Sequence, residues 1–94
     1  MEIRHNFDGE YGEFYIEDNG ARIAEMTYVK SGEGEITIDH TEVSPAMKGR
    51  GIAKKLVIAG IAHAREQKLK IVPVCSYVRA EFERNPEYAD VRAR

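Results

Sequence analysis

Two glycines and two cations stand together from Lys48 to Gly51, in the stretch KGRG, directly before an apolar segment. Glycine leaves backbone amides uncovered, and the first turn of a helix carries unpaired N–H groups with partial positive charge. Lys54 and Lys55 add cationic charge around the same point. Such an arrangement binds phosphate and other anions. The same residues would also suit a tight turn with a solvated basic rim, and the residue types alone leave both interpretations open.

Three other side chains have the chemistry that group transfer needs. His40 is a candidate general base because an imidazole titrates near neutral pH, and Glu42 is the alternative base. Cys75 is a candidate nucleophile, although a lone cysteine also packs as a small apolar residue in many cores. His5 and His63 have no cysteine or acidic neighbour at the spacing of metal ligands, so we predict no metal site.

The elements that would position these residues begin with strands. Four β-rich segments separated by turns are predicted, at 2–7, 13–18, 21–30 and 35–43. The Asn-Gly pair within 18–20 suits a type I′ hairpin turn. In the fourth segment, alternation places Ile36, Ile38, His40 and Glu42 on one face. We therefore expect His40 to face the core unless a β-bulge re-aims it.

The pattern changes to helical spacing after Pro45. Apolar residues at i, i+3, i+4 and i+7 predict a long helix over about 51–67. A strand interrupted by Pro73 is predicted at 69–78, and a short helix follows at 79–88. The element order is β-β-β-β-α-β-α, an α+β fold with a mixed sheet. Its fourth and fifth strands run parallel, joined by a right-handed crossover through the long helix.

Composition narrows the classes of function. The chain has 94 residues, of which 43% are hydrophobic and 32% are charged, and its formal net charge is −2. These values are typical of one soluble domain and give no support for a nucleic-acid or membrane partner. No stretch approaches the roughly 20 apolar residues of a transmembrane helix. The single cysteine fits a reducing compartment, so we expect a cytoplasmic monomer with one domain over 1–94.

The stretch from Val43 to Ala53 resembles the CoA-binding motif of the GCN5-related N-acetyltransferases. That motif reads Arg/Gln-x-x-Gly-x-Gly/Ala and follows a Val-x-Pro strand exit. Lys48 stands at the Arg/Gln position here, and Ala53 stands at the last position. The predicted order of strands and helices is also similar over nearly the whole chain. The length resembles the small, single-domain YidJ-like group.

The resemblance implies acetyl-CoA as co-substrate and an amine as acceptor, either a small molecule or a protein. The CoA pyrophosphate would lie on the backbone of Lys48, Gly49, Arg50, Gly51, Ile52 and Ala53. The pantetheine arm would pair with the strand that ends at Val43. The thioester would then lie where this strand parts from the one that ends at Cys75. In that position His40 is the favoured base or thiol activator, and Cys75 is the favoured nucleophile or thioester contact.

Two departures from the family pattern affect the prediction. The N-terminal helices that usually help to build the acceptor site have no room in this chain. The family pattern Asn-x-x-Ala-x-x-x-Tyr aligns with Cys75, Val78 and Phe82, and Phe82 cannot protonate a departing thiolate. Tyr77 and Tyr88 are nearby phenols that could replace this acid, and neither is favoured. We therefore predict an acetyl-CoA-dependent N-acetyltransferase that acts directly or through an acetyl-cysteine. A CoA-binding module without efficient transferase activity is the alternative.

Overall fold

A five-stranded sheet follows the order of the chain, β1-β2-β3-β4-β5. The computed structural model of the protein describes residues 1–93, so Arg94, the last residue of the predicted domain, lies outside them. The strands are β1 Arg4–Phe7, β2 Tyr11–Asp18, β3 Ala21–Gly32, β4 Glu35–Val43 and β5 Lys70–Pro73. The helices are α1 Ile52–Gln67 and α2 Ser76–Arg84, with 3₁₀ helices at Pro45–Met47 and Pro86–Val91. The predicted order β-β-β-β-α-β-α is confirmed.

Strand pairing also follows the prediction. The first four strands pair antiparallel, and β4 pairs with β5 in parallel across α1. Asn19 and Gly20 both have positive φ, at 53° and 78°, as a type I′ turn between β2 and β3 requires. The helix α1 begins one residue after the predicted start and ends at the predicted residue.

The helices cover one face of the sheet. Buried strand residues such as Ile16, Met26 and Ile38 pack in one core with Leu56 of α1 and Val78 of α2. The partners that alternate with them point to the other side of the sheet. We call this side the open face, and it is defined by Glu13, Glu25, Thr27, His40 and Glu42. Among residues 1–93, no helix packs against it.

The predicted strand at 69–78 is too long. The strand β5 ends at Pro73, and the amides of Val74 and Cys75 both donate to the carbonyl oxygen of Ile38, at 3.1 and 3.0 Å. Proline has no N–H with which to continue the ladder. The helix α2 therefore begins at Ser76, three residues before the predicted start, and it ends before the Asn85-Pro86 pair.

The part of the chain that the structure describes contains no helix with both the length and the apolar character needed to cross a bilayer.

Candidate active site

The turn between β4 and α1 is held in shape by glycine. Gly49 and Gly51 have φ values of 82° and 72°, and Gly51 is the N-cap of α1. Residues with a Cβ rarely adopt this left-handed conformation because it crowds the following carbonyl oxygen. No protein atom lies within 4 Å of the place where a Cβ would be at either glycine. The backbone angle, rather than crowding within the protein, therefore requires glycine here.

The turn presents a row of unused amides. Within residues 1–93, the backbone N–H groups of 49–54 donate to no backbone or side-chain acceptor. Those of 52–54 are the orphan donors of the first turn of α1. The amide of Lys48 differs from the prediction, since it donates to the carbonyl oxygen of Pro45 at 3.4 Å. Lys48 therefore offers its side chain rather than its amide.

A groove of about 490 Å³ lies along this turn. We call it the turn groove. Its walls come from the end of β4, the turn, the start of α1 and the first turn of α2: Thr41, Glu42, Val43, Pro45, Met47, Lys48, Gly49, Gly51, Ile52, Ala53 and Tyr77. Of the residues predicted to bind CoA, Arg50 alone does not line the groove, and it lies exposed beside it.

The cations around the turn groove are uncompensated. Lys48, Arg50, Lys54 and Lys55 are all exposed. None of them forms an ion pair with an acidic side chain in the described part of the chain. Four cations beside a row of free amides make a strongly positive surface, which attracts polyphosphate groups.

A β-bulge in β4 changes the direction of its side chains. Thr27 of β3 pairs with His40, but the next residue, Tyr28, pairs with Ile38, so Asp39 is the extra residue. The prediction that His40 shares the core face with Ile38 is therefore wrong. The bulge moves His40 to the open face, where its side chain is 52% exposed.

Glu42 lies beside His40 on the open face. The distance from His40 Nε2 to Glu42 Oε1 is 3.5 Å, so the carboxylate can stabilise the imidazole when it takes up a proton. Glu25 of β3 pairs with Glu42, and ligand atoms of Glu25, His40 and Glu42 lie within 4.8 Å of one another. Arg22 Nη1 lies 3.3 Å from Glu25 Oε1, which places a competing cation at this cluster. The absence of a metal site stays a prediction.

Cys75 lies on the other side of β4 from His40. It is the N-cap of α2, and its Sγ lies 3.5 Å from Thr41 Oγ1. Thr41 pairs with Met26 and points toward the helices, whereas His40 pairs with Thr27 on the open face. No hydrogen bond links Cys75 with His40 among residues 1–93. The structure therefore does not bring together the predicted nucleophile and its predicted activator.

The phenol that lines the turn groove is that of Tyr77. Phe82 is 5% exposed and packs against Tyr88 in the core, with ring centroids 6.0 Å apart. Tyr77 instead lines the turn groove, and burial raises its pKa, with a further contribution from the negative charge of Glu81. The predicted strand at 69–78 obscured this position, because the start of α2 is what turns Tyr77 toward the groove.

A family model described as GCN5-related N-acetyl-transferase matches residues 13–91. The chain belongs to this family. It is 34% identical over 85 residues to Protein NATD1 of Xenopus tropicalis, covering 89% of this chain and 78% of that protein. The solution structure of a GCN5-like protein from Staphylococcus aureus is 40% identical, with a TM-score of 0.77, and the match covers 98% of this chain and 87% of that chain.

A more distant structure shows the shared fold alone. The crystal structure of Tetrahymena GCN5 is 15% identical, with a TM-score of 0.66, and the match covers 83% of this chain and 51% of that chain. The family and the fold support acetyl-CoA-dependent N-acetyl transfer as a general activity. The finer assignment to the YidJ-like group stays a prediction.

Proposed function

We propose that this protein transfers the acetyl group of acetyl-CoA directly to a primary amine. The observation that carries the proposal is the turn groove, which carries free amides and unpaired cations at one end and reaches Thr41, beside the bulge of β4, at the other. The bulge brings a base, His40, to the opposite side of the same strand. An acyl donor and an amine could thus meet at β4 from two sides.

The residues of the turn groove fit CoA. Amides of 49–54 at the start of α1 would hold the pyrophosphate, and Lys48 and Arg50 would neutralise its charge. The pantetheine arm would find a free strand edge, since β5 pairs with β4 only as far as Ile38 and Pro73. From there to Val43 the β5 side of β4 is unpaired in the described chain, which is the setting for β-augmentation.

His40 and Tyr77 divide the proton transfers. When bound, acetyl-CoA supplies the acyl group as a thioester. His40 takes a proton from the acceptor ammonium, and Glu42 stabilises the imidazolium that forms. The free amine then forms the N–C bond as the C–S bond breaks. Tyr77 donates a proton to the thiolate as it leaves, and the second amine proton restores the phenol. The net products are the acetamide, CoA and one proton.

Cys75 lines the reaction site in this scheme and is not acylated. Its thiol contacts Thr41 on the helix-covered side, away from His40. A cysteine nucleophile is commonly activated by a neighbouring base, and His40, the predicted activator, does not contact Cys75 among residues 1–93. In the direct route the thiol only fills space beside Thr41 and takes no part in the chemistry.

The test compares intact mass and CoA binding in the same preparations. The wild-type protein and Cys75→Ala are incubated with acetyl-CoA, and each is then supplied with a panel of amines. We expect CoA to raise the melting temperature of both, no acetyl adduct on either, and amide product from both. An adduct lost in Cys75→Ala would replace the direct route with the acetyl-cysteine route.

Two other results would overturn the proposal. Binding of CoA with no acetylated amine would identify a CoA-binding module without efficient transferase activity. If CoA failed to raise the melting temperature, the protein would not be a CoA-dependent enzyme. Beyond the reaction, we propose that residues 1–94 act as a single domain and a monomer in the cytoplasm, where the free thiol of Cys75 stays reduced.

A further inference from the structure

The hydrogen-bond ladder between β4 and β5 ends at Val74, the residue that follows β5. Its amide donates to the carbonyl oxygen of Ile38 at 3.1 Å, as the next bond of a parallel ladder does. If the ladder continued, the carbonyl oxygen of Val74 would accept from the amide of His40, two residues after Ile38. No backbone amide of residues 1–93 donates to this oxygen. The two strands therefore separate at the carbonyl group of Val74.

The guanidinium group of Arg79 bonds to the oxygen that the ladder leaves unused. Arg79 lies near the start of α2, and its Nη2 donates to the carbonyl oxygen of Val74 at 2.9 Å. Its Nε donates to the carbonyl oxygen of Pro73 at 3.4 Å. A guanidinium group presents its donors in a rigid fork, so it can hold two neighbouring carbonyl groups at once. Arg79 therefore ties the start of α2 to the end of β5.

Arg79 is an unexpected residue at this place in a helix. The N-terminal end of a helix has partial positive charge, so a cation is disfavoured there. Within the described chain, no acidic side chain forms an ion pair with Arg79. The contacts of its guanidinium group are instead with the carbonyl groups of Pro73 and Val74. A residue that breaks a local preference in this way is a candidate for a specific role.

The place where β4 and β5 separate adjoins the turn groove. Thr41 and Val43 of β4 line the groove on one side, and Tyr77, two residues before Arg79 in α2, lines it on another. If β5 continued to pair with β4 beyond Ile38, β5 itself would cover the strand edge that we assign to the pantetheine arm. The contact of Arg79 with the end of β5 is thus placed to keep that edge uncovered.

We propose that Arg79 is a positioning residue that keeps the end of β4 free for the pantetheine arm of CoA. This inference rests on the proposed function. Arg79 does not line the turn groove, so it acts through the end of β5 and not by contact with CoA. The pyrophosphate would lie on the amides of 49–54, at the other end of the groove. Loss of Arg79 should therefore affect the pantetheine arm and leave the pyrophosphate in place.

The experiment compares CoA with 3′-phospho-ADP, which is CoA without its pantetheine arm. Each ligand is titrated calorimetrically into the wild-type protein and into Arg79→Met, which keeps an unbranched side chain and removes every N–H donor. We expect Arg79→Met to weaken CoA binding about fivefold and to leave binding of 3′-phospho-ADP within about twofold of wild type. Arg79→Lys keeps the charge but not the fork, so its CoA affinity should lie between those of wild type and Arg79→Met.

Arg65→Met is the matched control. Arg65 also joins a helix to a carbonyl group of another segment, that of Glu87 at 2.7 Å, but it lies in the last turn of α1 and does not line the turn groove. We expect both methionine variants to lower the free energy of unfolding and only Arg79→Met to weaken CoA binding. Equal weakening of both ligands in Arg79→Met, or equal loss of CoA affinity in Arg65→Met, would show a general effect on the fold and overturn the inference.

Kinetics supply a second measurement. We expect Arg79→Met to raise the KM of acetyl-CoA about fivefold while kcat at saturating acetyl-CoA stays within about twofold of wild type. An unchanged KM together with unchanged CoA affinity would also overturn the inference. The wild-type protein alone tests the proposed function, which fails if CoA does not bind or if no amine is acetylated, and this inference then fails with it. If wild type binds CoA and Arg79→Met binds it equally well, the inference alone fails.

Discussion

The thiol of Cys75 lies 3.5 Å from the hydroxyl oxygen of Thr41, on the face of β4 that the helices cover. His40 is the residue before Thr41 in the same strand, and its imidazole lies on the open face. Successive side chains of a strand point to opposite faces, so one strand separates the thiol from the base. This arrangement divides the proposed site into a donor side, where the turn groove lies, and an acceptor side, where His40 lies.

Replacing the base should cost far more activity than replacing the thiol. We expect His40→Gln to lower kcat by roughly 100-fold, because the variant lacks the imidazole that is proposed to take the ammonium proton. Cys75→Ala should keep kcat within about threefold, since it removes only a contact with Thr41. Steady-state kinetics with a saturating amine measures both. A larger loss in Cys75→Ala than in His40→Gln would show that the thiol carries the chemistry.

A substitution in the glycine turn before α1 should weaken CoA binding, whereas the same substitution in another glycine turn should not. Gly51→Ala places a Cβ at a φ of 72°, which should destabilise the fold by about 1–2 kcal/mol and weaken CoA binding at least fivefold. Gly20→Ala is the matched control, since Gly20 has a φ of 78° and similarly open surroundings but lies in the β2–β3 turn. Chemical denaturation and calorimetry separate the two effects. Equal CoA affinity in both variants would remove the turn from the binding site.

Tyr77 and Tyr88 offer a matched pair of phenols. We expect Tyr77→Phe to lower kcat about tenfold with little change in the KM of acetyl-CoA, because the proton for the leaving thiolate is lost. Tyr88→Phe should leave kcat unchanged, because Tyr88 packs in the core against Phe82. Burial raises the pKa of Tyr77, so the phenol stays protonated to above its usual range and activity should persist to alkaline pH. If Tyr77→Phe kept the wild-type kcat, the leaving thiolate would receive its proton from water and not from Tyr77.

Much of the architecture follows from local patterns that the sequence displays. The Asn-Gly turn and the helical spacing within 51–67 depend on neighbouring residues, and both are confirmed. The alternation predicted within 35–43 holds for Ile36 and Ile38, which are both buried, but not beyond them. The bulge at Asp39 depends on how β4 registers against β3, which no spacing within β4 reveals. Because the sequence does not show this register, His40 was predicted on the core face.

A groove lined by Asp8, Glu13 and Asp39 could not be predicted from the sequence for a related reason. Asp8, Glu13 and Asp39 are far apart in the chain and read separately as solvated charges. Pairing of β2 with β3 and of β3 with β4 brings them to one cavity. Tyr77 was not favoured as the acid because the sequence pattern does not show that Pro73 ends β5 early and lets α2 begin at Ser76. Local sequence patterns therefore do not determine contacts between residues of different strands. They also do not determine where a strand ends early.

Stability should fall on mild acidification because of a histidine pair far from the site. His5 Nε2 lies 2.5 Å from Tyr28 Oη, and the ring centroids of His5 and His63 lie 4.6 Å apart. Burial lowers the pKa of both from the ordinary value of 6.5, and the charge of His63 lowers that of His5 further. Between the lowered pKa and 6.5 the unfolded chain binds more protons than the folded one, so this stability is present above pH 6.5 and is lost as the pH falls below it.

Urea denaturation at a series of pH values from about 7.5 to about 5 measures this loss. We expect His63→Gln to flatten the dependence, since one titrating ring is gone and His5 no longer has a like charge beside it. Ile58→Ala is the control and should leave the dependence unchanged, because Ile58 is exposed on the same helix as His63 and its replacement removes no titrating side chain. A free energy of unfolding that stays constant in wild type over this range, or that falls equally in His63→Gln, would show that the pair does not titrate with folding.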